Sequence, residues 1–160
     1  MQESFFWRRA KTLIAGLGFL LGVAPAMAQG AAAGWWMDQS GKAGIVIAPC
    51  GKDLCGRIEW LKVPMDKAGR PKTDIHNSNA ALKLRPLCGL QILGNFIPDG
   101  QGGWKGGWIY DPQNGETYKS VMHVVADGTL HVRGYIGIPL LGRSEVWRRP
   151  ANVLPACSGG

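Results

Sequence analysis

The 160-residue chain has neither a Gly-x-Ser-x-Gly elbow nor a Cys-x-x-Cys pair, so the two most compact signatures of nucleophilic and thiol-redox chemistry are missing. It has three histidines, His76, His123 and His131, and no Cys/His spacing of the kind that builds a tetrahedral zinc site. No metal or cofactor is expected. Its lysines and arginines are scattered among acids and never form a run, which excludes the concentrated basic stripe of a nucleic-acid reader. After residue 28 there is no long apolar stretch, so no stable membrane span is expected once the leader is removed. Helical periodicity is scarce too, and only residues 78–84 read as a short helix.

Residues 1–28 carry the features of a cleavable signal peptide. Arg8, Arg9 and Lys11 precede an uncharged apolar core over residues 12–24, and Ala26-Met27-Ala28 sets small residues at the cleavage positions. That core is too short for a permanent anchor. The exported form, residues 29–160, is expected in the periplasm or beyond. Without the leader the net charge falls from +7 to +5, so part of the apparent basicity is addressing. The remaining length suits one domain, with a core over 33–150 and a tail over 151–160. All four cysteines, Cys50, Cys55, Cys88 and Cys157, lie after the leader, as expected of disulfides in an oxidising compartment.

What fills the exported chain is a series of short β-branched and aromatic runs separated by turns, with 24 glycines in the whole sequence. Strands are expected near 34–38, 43–49, 56–61, 90–96, 104–110, 116–125, 129–136 and 143–149. About eight strands in this order predict an all-β fold, a single antiparallel up-and-down barrel around a small interior.

Two hairpins take a definite register. Setting Cys50 opposite Cys55 pairs Ile47 with Ile58 and Ile45 with Trp60 on one apolar side. A strand-to-strand Cys50–Cys55 disulfide follows. Centring a two-residue turn on Asp127-Gly128 pairs Val124 with His131 and His123 with Val132. That register buries Val121, His123, Val125, Leu130, Val132 and Ile136, and it sends His131 to the opposite side. Cys88 and Cys157 either form a second bridge, tying the tail to the long connection, or stay free.

The connection over 62–89 carries Pro64, Pro71 and Pro86 and is long for a compact domain, the mark of a lid or of a structural flap. Asp66, Asp74 and His76 lie on it as solvated charges, with Asp74 and Asn77 suited to turn bonds. Trp60, Trp108, Tyr110 and His123 are the candidate wall residues of a ligand pocket, should the barrel be hollow. The stretch Gly137-Ile138-Pro139-Leu140-Leu141 reads as a buried barrel corner or, if exposed, as a protein-docking patch.

The opening Gly34-Trp35-Trp36, with arginine late in the last strand, resembles the signature of lipocalin-like, or calycin, barrels. The resemblance implies that Arg149, or Arg148, lies across Trp36 and closes the barrel. A wider pattern includes Arg85-Pro86-Leu87-Cys88-Gly89-Leu90, Gly107-Trp108-Ile109-Tyr110-Asp111-Pro112 and Arg133-Gly134-Tyr135-Ile136-Gly137. Over residues 33–150 it is similar to the secreted bacterial family called domain of unknown function 2147. That resemblance implies a lipocalin-like barrel and export, and no catalytic residues. The expected function is a non-enzymatic carrier for a small, largely apolar molecule. The alternative is a cell-envelope protein-interaction module.

Overall fold

The structure, a computed structural model, describes residues 27–157. The expected signal peptide therefore lies outside the described residues, except for Met27 and Ala28, which begin a short helix, α1 (Met27–Ala32). Eight strands follow in strict up-and-down order, each antiparallel to the last. They are β1 (Gly34–Met37), β2 (Ala43–Cys50), β3 (Asp53–Leu61), β4 (Gln91–Pro98), β5 (Gly103–Asp111), β6 (Glu116–Val124), β7 (Leu130–Tyr135) and β8 (Gly142–Trp147). A 3₁₀ turn at Ala80–Leu82 is the one helical element on the long connection, within the stretch expected to be helical.

The sheet curls until its two edges meet. Met37 and Arg148 exchange backbone hydrogen bonds of 2.7 and 3.1 Å, joining β1 to the end of β8. Beside that junction the Arg149 guanidinium lies 3.7 Å from the Trp36 ring centroid. It also donates to the carbonyls of Ala31, Ala33 and Trp35, so one planar fork ties the last strand to α1 and β1. Lysine cannot reproduce that fork. Arg149→Lys should therefore cost about 1–2 kcal/mol, read as a shifted urea midpoint at unchanged slope.

The interior is filled at the end where β1 begins. Trp36, Trp104, Trp147, Phe96, Leu54 and Leu130 are all buried there, with Ile45, Ile47, Met122 and Val132 beside them. Trp147 Nε1 donates to Glu145 Oε2 and Ser120 Oγ to the Arg133 carbonyl. Large, close-packed side chains leave little room for a guest.

Three local insertions determine which residues face that interior, and each departs from the expectation above. At β2–β3 Ile45 pairs with Ile58 but Gly44 pairs with Trp60, so Glu59 is an extra residue in β3. The bulge turns Trp60 outward, where it crowds Gly44 together with Trp35 and Leu154. At β5–β6 Trp104 pairs with Met122 but Gly107 pairs with Ser120, a bulge that includes Lys105 and Gly106. Trp104 faces in; Trp108 and Tyr110 face out. At β6–β7 the connection is a three-residue loop, Ala126-Asp127-Gly128, with Gly128 at φ 80° and Val125 bonded to Thr129. The expected two-residue turn is wrong by one position, and a one-residue slip reverses a strand's faces. His123 consequently pairs with His131 rather than Val132, and Ser120 and Met122 take the inner positions on β6.

The Cys50–Cys55 hairpin differs more gently. Its two-residue turn is Gly51-Lys52, Cys55 lies opposite Ala48, and the register is shifted by two, which preserves the faces. The disulfide forms across that diagonal, with Cα atoms 5.8 Å apart. Cys88 and Cys157 form the second bridge. The tail is packed as well, since the Cys157 amide donates to the Glu59 carbonyl.

Candidate functional site

No sequence-predicted wall residue lies on the barrel's inner wall. Trp60 packs outside against the tail. His123 is exposed beside His131, ring centroids 5.2 Å apart. Among the described residues no group of three His, Cys, Asp or Glu side chains is placed to hold a metal. Trp108 and Tyr110 alone share a built site, and it lies on the outer face, under the long connection.

That connection is fixed to the barrel by a buried polar cluster. Asp74 is fully buried. The Tyr110 hydroxyl lies 2.7 and 2.8 Å from its two carboxylate oxygens. Asn77 Nδ2 donates to the same carboxylate at 2.9 Å and is also within 2.9 Å of the Tyr110 oxygen. Arg85 completes the set, with Nε at 2.8 Å and a second nitrogen at 2.7 Å both on Asp74 Oδ2, a charge-assisted ion pair. Its guanidinium stands 5.2 Å from the Tyr110 ring centroid. Burial pushes the Asp74 carboxyl up, but the bonds from Tyr110, Asn77 and Arg85 outweigh it and hold the group below the usual carboxylate range. Burial, and then the Asp74 carboxylate, push the Tyr110 phenol up. Asp74 is therefore ionised and Tyr110 protonated at neutral pH.

Beside the cluster runs a groove of about 510 Å³ between β3–β5 and the connection. Pro86 and Leu90 form its apolar side with Trp108, whose ring covers Gly94 so closely that a Cβ there would come within 2.5 Å. Arg57, Arg85 and Gln91 supply the polar side. Arg85 is neutralised by Asp74. Among the described residues Arg57 bonds only uncharged acceptors, the Gly89 carbonyl at 3.1 Å and Gln91 Oε1 at 3.4 Å. The groove thus combines an indole face with an uncompensated guanidinium. A second concavity, of about 440 Å³, lies at the rim near Asp99, Trp104 and His123.

The sequence named Trp108 and Tyr110, but as walls of a hollow interior, and did not mark Arg57 or Arg85 as site residues. The signal for Arg57 was its even spacing from the cysteine face of the first hairpin, which marks it as outward; Arg85 had none.

Two comparisons with other proteins bear on the family and the fold. The model of the family described as "Uncharacterized protein conserved in bacteria (DUF2147)" matches residues 34–149. A solved structure, protein HP1028 from the human pathogen Helicobacter pylori, described as belonging to the lipocalin family, is 21% identical with a TM-score of 0.63. The match covers 76% of this chain and 84% of that one. At that identity the likeness is one of fold. No curated protein matches the chain.

Proposed function

The chain belongs to the uncharacterised bacterial family DUF2147, and on that premise we propose that it is an exported, non-enzymatic binding protein for a small amphiphile with an apolar body and an anionic group. The likeness of fold to a lipocalin-family protein supports a binding role in general. The two disulfides are consistent with an oxidising compartment. Among the described residues no helix is long and apolar enough to cross a membrane.

The observation that carries the proposal is the pairing of Trp108 with the uncompensated Arg57 in one groove. Apolar lining with a few converging polar groups is the usual composition of a small-molecule site. The filled interior argues that the ligand lies outside the barrel. The connection over 62–89 serves as a fixed wall, since buried bonds hold it down.

Calorimetric titration of the exported form with an alkyl or aryl carboxylate, against the neutral amide of the same body, tests this. The carboxylate should bind at least about tenfold more tightly, because only it makes a charge-assisted bond. Arg57→Ala should abolish the preference, and Trp108→Ala should weaken both ligands. Equal affinity for acid and amide, or a preference unaffected by Arg57→Ala, would overturn the proposal.

A further inference from the structure

Among the described residues, most of the exposed large apolar side chains are gathered at one end. In an up-and-down barrel the β3–β4 and β7–β8 connections leave from the same end, and between them they carry nine exposed large hydrophobics. Ile136, Ile138, Leu140 and Leu141, on β7–β8, are 72%, 55%, 80% and 74% exposed. Across the same end Val63, Met65, Ile75, Leu82 and Leu84 are exposed on β3–β4, Leu84 at 83%. The stretch 137–141 is therefore not the buried barrel corner that its composition suggested.

These side chains are displayed on a rigid support. Arg133 donates to the carbonyls of Pro139 and Leu140 and to Ser144 Oγ, fixing the 3₁₀ turn Pro139–Leu141 with its leucines outward. Little ordering entropy is left to be lost when they are covered. Exposed apolar side chains in this number at one end mark a docking site.

Charge indicates what docks. The 62–89 connection holds Lys62, Lys67, Arg70, Lys72, Lys83 and Arg85 against Asp66 and Asp74, a net of +4. Both acids are already paired, with Arg70 and Arg85. Nearly all the excess positive charge of the exported chain is thus on one connection, at the end that also exposes its hydrophobics. Protruding apolar side chains with cations around them fit the interface of an anionic bilayer, where the side chains enter the acyl boundary and the cations meet headgroups.

We propose that this end of the barrel docks on an anionic lipid surface, with Leu140 and Leu141 inserted and the lysines of the 62–89 connection against the headgroups. The end of the same connection, from Arg85 to Gly89, lines the ligand groove, whereas Leu140 and Leu141 are not part of it.

Flotation with phosphatidylglycerol-containing vesicles, against phosphatidylcholine alone, tests the proposal. The protein should float with the anionic vesicles, and raising salt from about 0.1 to about 1 M should release most of it. The Leu140→Asp/Leu141→Asp variant should lose about a hundredfold in partitioning. Both positions are exposed, so an unchanged near-ultraviolet spectrum will show that the variant folds; a Lys67→Glu/Lys83→Glu variant supplies an independent charge test. No flotation with anionic vesicles, or equal flotation of the wild type and the leucine variant, would overturn the idea. So would light scattering that shows a dimer broken by the leucine variant with no vesicle binding by either, which would make the patch a contact between copies.

Discussion

Replacing Asp74 by alanine is expected to cost about 3–5 kcal/mol, because it leaves a half-buried guanidinium and a buried phenol facing no carboxylate. The Arg85 side chain is 34% exposed and Tyr110 is buried, so water can compensate the first only in part and the second hardly at all. The measurement is urea unfolding of wild type, Asp74→Ala and Asp74→Asn. Asparagine retains one acceptor for Tyr110 and should recover part of the loss. The pH dependence follows from the same geometry. The folded-state pKa of Asp74 lies below its unfolded value of about 3.9, so its stabilising contribution is complete above that value. The contribution is lost as pH falls through the folded pKa, and the Asp74→Asn protein should lack this component of acid unfolding.

Breaking the second disulfide should have an effect of similar size. Cys88 and Cys157 are separated by 69 residues, and closing a loop of that length removes about 4 kcal/mol of unfolded-chain entropy. The Cys50–Cys55 bridge closes 5 residues and is worth about 2 kcal/mol on the same reckoning. Cys88→Ser/Cys157→Ser should therefore lower stability about twice as far as Cys50→Ser/Cys55→Ser, measured by denaturant unfolding without reductant. The two bridges also act on different places. The first only staples a hairpin that pairs anyway. The second fixes the tail across β3 and the end of the 62–89 connection next to the groove, so its loss should also weaken ligand binding there.

The order and number of strands were legible because alternation and turn residues are local signals, repeated eight times along the chain. The hairpin disulfide was legible for the same reason, since it joins neighbours in sequence. Facing was not, and the cause is specific. Glu59, the Lys105-Gly106 bulge and the third residue of the Ala126–Gly128 loop each add one position, and one position reverses a strand. The pair Gly106-Gly107 does signal a bulge or a close backbone approach, and the bulge is there, but nothing in the composition of the other two segments distinguishes an insertion from regular alternation. The Asp74 cluster was half visible: Asn77 reads as a turn-forming residue and its Oδ1 accepts from the Asn79 amide, but Asp74, expected as a solvated charge, is fully buried and its carboxylate accepts only from side chains. Their bonds to Tyr110, 36 and 33 residues away, depend on how the connection folds back over the sheet. The leucines at 140 and 141 illustrate the opposite error. Composition left that run open between a buried corner and an exposed patch, burial being the common fate of such runs, whereas here Arg133 holds the backbone and leaves the side chains in solvent.

A filled barrel that recognises its ligand on the outer face, between Trp108 and Arg57, has a direct spectroscopic signature. Indole N–H signals in a proton–nitrogen correlation spectrum report on it, recorded while the protein is titrated with an aryl carboxylate. The Trp108 signal should move on binding, while those of Trp36, Trp104 and Trp147 stay in place. Shifts of the three buried indoles with Trp108 unmoved would mean that the ligand enters the barrel, and recognition on the outer face would be wrong.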